Sequence, residues 1–349
     1  MNHYRFKKSI IIFSLILLSA SEYMAQEYMI GADLSFVKEA EEKGFAFKEN
    51  NQTKSGLAIF KDHGYRWIRL RLFHSPTTLP NNLEYTIALA KEAKEQGFKF
   101  LLDYHYSDTW ADPAKQFVPK AWEGKTQKEV AQLVFDYTKT TMLAFGDANV
   151  YPDMVQIGNE ISNGMLWPYG KLPENWDHLA ALIKAGINGV KASIGDRISP
   201  KIMIHIDKGG DKEFTKYFFD KLHTYNIQYD VIGQSYYPWW HGSLLDLRDC
   251  LNFTALKYKK DVVLVETAYN YRPAEYIDKP APFPESPEGQ KEFLEAVHTI
   301  ILNIPNNKGK GIFWWEPAAP KKGFSHRTFF TKEGDVLPVI NVFDKYIRY

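Results

Sequence analysis

Apolar residues along the 349-residue chain gather into short runs separated by longer amphipathic stretches. Eight runs read as strands: Tyr28–Asp33, Trp67–Phe73, Phe98–Tyr104, Met154–Asn159, Lys201–Ile206, Val231–Tyr236, Val262–Glu266 and Gly311–Trp315. They recur about every 30 to 55 residues, which suits βα units and not hairpins. Between them the period becomes helical. Leu83–Gln96 puts Leu83, Ile87 and Ala90 on one face and charges on the other, and it stops at Gly97. Trp176–Val190 repeats the pattern with Leu179, Leu182, Ile183 and Ile187. Ser286 and Pro287 read as the N-cap and first residue of a helix carrying Phe293, Leu294, Val297 and Ile301.

Strands alternating with helices, with no linker between them, predict a single (β/α)8 TIM barrel. A doubly wound open sheet is the rival. It lacks support because no glycine-rich phosphate turn follows any strand and polar residues cluster at many strand ends, not at one switch point. Two connections, Ser107–Lys125 and Tyr269–Glu285, are long and rich in aromatic residues or prolines, and are expected to shape the walls of a cleft.

The first 25 residues are set apart from the barrel. Arg5, Lys7 and Lys8 precede the apolar run Ile10–Leu18, and small residues lead to an expected cut after Ala25. This is the order of a secretory signal peptide, with an apolar core too short to span a bilayer. The chain then divides into residues 1–25 as leader and 26–349 as the barrel domain, exported to the periplasm or the exterior, with no membrane attachment after cleavage. Cys250 is the lone cysteine, so no internal disulfide forms and none is present in the leader to carry a lipid. A net charge of +1 gives no footprint for nucleic acid. Nine Trp and 21 Tyr exceed what packing usually needs and suit flat platforms for ligands with apolar faces and polar rims.

In a barrel all C-terminal strand ends face one mouth and can be read as one surface. They bring together Asp33, Arg69, Arg71, Asp103, His105, Asn159, Glu160, His205, Asp207, Tyr236, Tyr237, Glu266 and Trp315. Glu160 and Glu266 end the fourth and seventh strands, nearly across the barrel. Inward carboxylates there approach to roughly 5 Å, the separation at which one is nucleophile and the other acid/base in glycoside cleavage with retained configuration. A buried salt bridge to Arg69 or Arg71 is the bland alternative for either glutamate alone. The pair together, with Asn159 beside Glu160, favours chemistry. A metal site would draw on Asp103 and His105 with His74 or His205. Without an H-x-H after the first strand or an HExxH, these residues are expected to bond one another or a sugar, so neither metal nor other cofactor is expected. "SYYPWWHG" and "FWWEP" put Trp239, Trp240 and Trp315 beyond strands six and eight, where they are expected to stack on sugar faces.

The segments "GADLS", "WIRLRLFHSP", "LLDYHYSDTWADPAKQ", "QIGNEISNGMLWPYG", "SYYPWW", "VLVETAYNY" and "FWWEP" occur in order over nearly the whole mature chain. The set resembles glycoside hydrolase family 53, the endo-β-1,4-galactanases acting on arabinogalactan. That resemblance implies Glu160 as acid/base and Glu266 as nucleophile, Asn159 on the substrate 2-hydroxyl, Arg69 as the strand-two arginine and Trp315 under the reactive sugar. It also implies a strand-six tyrosine on the nucleophile. Alternation allows only one of Tyr236 and Tyr237 inward, and Tyr236 is favoured. Asp33, Asp103, His105, Trp239 and Trp240 complete the expected substrate contacts.

The departures lie at the edges. Asn270 stands where the family commonly shows proline, and "WEPAAPKKGFSHRTFF" replaces a longer insertion in which some bacterial members hold calcium. Without an Asp cluster there, no calcium is expected here. The expected activity is retaining cleavage of internal β-1,4-galactosidic bonds by a monomer whose partner is the polysaccharide alone. The rivals are the same machinery on mannan or xylan, and a glycan-binding barrel without turnover.

Overall fold

The computed structural model describes residues 28–274, 278–279, 281–319, 323 and 325–346. The leader expected at residues 1–25 lies outside the described residues. Eight strands form the barrel: β1 Met29–Asp33, β2 Trp67–Leu72, β3 Lys99–Tyr104, β4 Met154–Ile157, β5 Lys201–Ile206, β6 Val231–Tyr236, β7 Asp261–Thr267 and β8 Gly309–Trp314. They pair in parallel, each with its neighbours in sequence, and β8 closes on β1 through Met29↔Gly311 to Ala32↔Trp314. The chain is a single closed (β/α)8 barrel, as the apolar periodicity predicts.

The helices are α1 Val37–Glu42, α2 Gly56–Asp62, α3 Leu83–Glu95, α4 Gln127–Asp147, α5 Trp176–Ala192, α6 Lys212–Thr224, α7 Leu244–Tyr258 and α8 Pro287–Leu302. Their ends follow local chemistry. Ser286 caps α8 by accepting the Gly289 N–H at 3.0 Å, and Thr126 with Glu129 forms a reciprocal box at the start of α4. Two helices, α1 and α2, follow β1. After β8 the covering role passes to a 3-10 segment, Pro338–Tyr346, which sets Phe343 and Tyr346 against His298 of α8 at ring distances of 5.1 and 5.2 Å.

The core has two parts. One lies between sheet and helices. The other fills the barrel: Met29, Trp67, Leu101, Met154, Met203, Val231, Val263, Val265 and Phe313 form an apolar floor. Gly31 belongs to that floor, since a Cβ there would lie 2.4 Å from the Phe313 ring. Above the floor, inward positions turn polar, and this storey carries the site.

One irregularity aims the site. Gln234 of β6 pairs with Leu264, but Ser235 pairs with Glu266, so Val265 is an extra residue in β7. By simple alternation, an inward Val263 and Val265 would leave Glu266 facing the helices. The bulge restores it to the barrel interior.

Candidate active site

β4 ends at Ile157, and Gly158 (φ +80°) then turns the chain so that Asn159 and Glu160 both reach the mouth. Glu160 is itself left-handed (φ 47°), a conformation that costs a non-glycine residue about 1 kcal/mol and is held here by its surroundings. Its Oε1 accepts a 2.6 Å hydrogen bond from Ser235 Oγ. Glu266 is held differently. Oε1 accepts from the Tyr237 hydroxyl at 2.8 Å, and Oε2 from Arg69 Nη1 at 3.1 Å.

Oxygens of the two glutamates lie within 4.8 Å of each other. Burial lifts both above the usual carboxylate range. At Glu160 the rise is large, and the charges of Glu266 and Asp207 add to it. At Glu266 the Arg69 guanidinium and the Tyr237 hydroxyl work against it. The proton that two such close carboxylates share therefore belongs to Glu160, and Glu266 carries the charge.

Beneath the pair is a buried ion network. Arg69 bonds Asp33 at 3.0 Å, Glu266 at 3.1 Å, Asp103 at 2.9 Å and the Asn159 side-chain oxygen Oδ1 at 2.7 Å. Arg71 reaches Asp33 at 2.8 Å and also Glu316, and stacks 4.4 Å from the Trp110 ring centre. Against a burial that would raise it, the two arginines hold Asp33 below the usual carboxylate range, while burial pushes Glu316 well above it.

Three expected sugar contacts are corrected here. Asp33 and Asp103 are both 0% exposed, and their oxygens face Arg69, Arg71, Ser35 and Gln156. His105 is also enclosed, with Nε2 on Asp103 at 3.1 Å and Nδ1 accepting the Ala111 N–H at 3.0 Å. Two arginines in a barrel need the counter-charge of Asp33 and Asp103, and His105 braces Asp103, so these residues orient the site from below. Asn159 lies at the surface of the network, its Nδ2 donating to Ala111 O at 2.9 Å.

Tyr236 is a further correction. Ser235 points inward, so Tyr236 points out to the helices, and its hydroxyl donates to Gly242 O at 2.9 Å. Tyr237 is the tyrosine on Glu266. Among the tryptophans, Trp240 is 47% exposed and Trp315 half-buried, as platforms require. Trp239 is instead buried in the core, stacked 5.6 Å from Tyr269. Trp110, which sequence reasoning passed over, is half-buried 6.1 Å from Trp315 and extends that wall. Arg327 was also missed. Its guanidinium carbon is 5.1 to 5.9 Å from the rings of Tyr237, Trp239, Trp240 and Trp315. No periodicity foretells a residue that arrives from the segment after β8. Gln156 and Ser235 did carry a signal, because both alternate inward with apolar floor residues of their strands.

Among the described residues, Glu160, His205 and Glu266 offer three ligand atoms close enough for a cation. The donor set argues against one. Both His205 nitrogens are engaged, with Asn159 and Ser235, and Arg69 places a fixed positive charge on Glu266. No helix among the described residues is long and apolar enough to cross a membrane.

The sequence profile of glycosyl hydrolase family 53 matches residues 29–345. A Niallia circulans sequence, an uncharacterized protein in the bgaB 5'region, is 41% identical over 84% of this chain and 84% of its own. A probable arabinogalactan endo-β-1,4-galactanase A of Aspergillus terreus is 36% identical over 83% of this chain and 86% of its own. Among solved structures, one from a study of two fungal β-1,4-galactanases superposes with a TM-score of 0.85 at 32% identity, covering 91% of this chain and 99% of that one.

Proposed function

The chain belongs to glycosyl hydrolase family 53, and from that premise we propose that it is a retaining endo-β-1,4-galactanase that cuts internal bonds of (arabino)galactan by double displacement. The carrying observation is a carboxylate pair within 4.8 Å, in which Glu160 meets one serine hydroxyl while Glu266 meets the Arg69 guanidinium and the Tyr237 hydroxyl, an asymmetry that favours the proton on Glu160 and the charge on Glu266. That separation suits a nucleophile and leaves no room for a water between carboxylate and sugar, as inversion requires.

Glu266 attacks the anomeric carbon while Glu160 gives its proton to the departing glycosidic oxygen. Arg69 and Tyr237 hold Glu266 ionised and aimed. The glycosyl ester so formed is then opened by a water whose proton returns to Glu160, restoring both groups. Trp240, Trp315 and Trp110 offer apolar faces to neighbouring sugars. The leader at residues 1–25 exports the enzyme, which acts as a monomer on its polymer outside the cytoplasm or in a periplasm.

The test is the product profile on linear β-1,4-galactan, with the first-formed anomer read by proton NMR. Short galacto-oligosaccharides of retained configuration support the proposal. An inverted first product overturns the mechanism. Cleavage of mannan or xylan with galactan untouched overturns the substrate, and binding without turnover leaves a glycan-binding barrel.

A further inference from the structure

The segments past β5 and β6 enclose a cavity of about 450 Å³, whose lining includes Asp207, Lys208, Lys212, Trp240, His241 and Asp246. Neither catalytic glutamate lines it, yet it borders the acid. Asp207 accepts from Ser162 Oγ, two residues beyond Glu160, and its charge is among those that raise Glu160. The charges acting on Glu266 come chiefly from Arg69, Asp33 and Asp103. The cavity is therefore on the acid's side of the cleft. A general acid stands beside the oxygen that departs, so this is the side on which the leaving part of the polymer lies.

Two groups in this cavity stop short of each other. His241 Nδ1 accepts the Tyr237 backbone N–H at 3.0 Å, which leaves the ring proton on Nε2. Burial, with Lys208 behind it and Asp207 against it, lowers the imidazole to about 4, so above that pH the ring is neutral. Nε2 is 4.0 Å from Asp207 Oδ2, too far for a hydrogen bond. Neither group is free to close the gap. The ring is tied by the Tyr237 N–H, and the carboxylate by Ser162 on Oδ1 and by Lys208 Nζ at 2.9 Å on Oδ2. A carboxylate oxygen can accept a second donor. One oxygen at an ordinary hydrogen-bond length of about 2.8 Å from each fits between them. It must accept from the imidazole and donate to the carboxylate, which is what a hydroxyl does and an ether or carbonyl oxygen cannot.

Trp240 precedes His241 and is 47% exposed in the same cavity. A ring face beside a fixed donor and a fixed acceptor matches a pyranose, whose faces are apolar and whose rim carries hydroxyls. We propose that Trp240, His241 and Asp207 form a binding site for a galactosyl unit of the leaving chain, in which one sugar hydroxyl accepts from His241 Nε2–H and donates to Asp207 Oδ2 while the ring lies against Trp240. A polymer held beyond the departing oxygen is cut within its length in preference to its end.

The assignment rests on Glu160 being the acid of a galactanase, and the two readings fail separately. His241→Asn keeps an acceptor near the place of Nδ1 for the Tyr237 N–H and removes the Nε2–H donor, whereas His241→Gln carries an amide out to the place of Nε2. His241→Asn should lower kcat/KM on galactotetraose about tenfold, but by less than about threefold on nitrophenyl β-galactobioside, whose leaving group has no sugar hydroxyl. His241→Gln should regain most of that loss. An equal fall on both substrates would mean that His241 acts only through Tyr237, and no fall on galactotetraose would mean that no hydroxyl is read; either result overturns the site. An inverted first anomer overturns the retaining mechanism instead. Galactan left whole while another β-glycan is cut overturns the substrate, and the same comparison of sugar and aryl leaving groups on that glycan still decides the site.

Discussion

Glu160 is bonded by one hydroxyl, and Glu266 by a phenol and a guanidinium. That difference separates their roles and sets their tests. Glu160→Gln and Glu266→Gln should each lower kcat on galactan by roughly a thousandfold or more. Only Glu160→Gln should still form the glycosyl ester quickly from a substrate with an activated leaving group, seen as a burst. Activity needs Glu160 protonated, so it falls as pH rises through the pKa of that group. Burial first, then Glu266 and Asp207, raise it. Asp207→Asn removes one raising charge, and the alkaline limb of kcat/KM should move to lower pH; an unmoved limb would refute the assignment. Tyr237→Phe should cost about 10- to 100-fold in kcat, while Tyr236→Phe should leave kcat nearly intact. Both glutamates could be read from the chain because each ends an apolar run. The choice of tyrosine was legible too but missed: Ser235 alternates inward with Val231 along β6, which turns Tyr236 to the helices and leaves Tyr237, past the strand end, for Glu266.

At the scale of elements, the site is aimed by two backbone irregularities. β7 carries Val265 as an extra residue, and the turn after β4 runs through Gly158 at φ +80°. The eight barrel strands and the three helices named from the sequence, α3, α5 and α8, were legible to within about two residues because burial imposes a period on them. A bulge leaves no such mark: Val262–Val265 reads as unbroken apolar strand. α1 and α2 were equally hidden, each being only six or seven residues long. Gly158→Ala would force a Cβ to 2.7 Å from Ile161 and burden the left-handed turn. It should cost about 1–2 kcal/mol of stability, measurable by urea unfolding, and lower kcat because Glu160 moves with the turn.

The whole molecule is a barrel of two storeys, apolar below and ionic above. Its closure was foreseeable from eight alternating units, but the division of its interior was not. Asp33, Asp103 and His105 look like sugar ligands along the chain, whereas in the structure Asp33 and Asp103 are counter-charges to Arg69 and Arg71 and His105 bonds Asp103, a distinction that only burial draws. Phe313→Ala would empty part of the floor and should cost about 3–5 kcal/mol, read as a lower thermal midpoint with KM nearly unchanged. Arg69→Met should do more harm than its size suggests, by about 3–5 kcal/mol, because it takes the arginine from Asp103 and Glu266 and leaves Asp33 with Arg71 alone. The bulge in β7 has a wider meaning for such a scaffold. Glu266 owes its direction to a count of residues within one strand and to Arg69 of β2, and the segments that rise above the rim add only the Tyr237 hydroxyl, one position past the end of β6. Those segments are therefore free to be lengthened, shortened or exchanged over evolutionary time, reshaping the polymer that is accepted while the cutting edge beneath keeps its alignment.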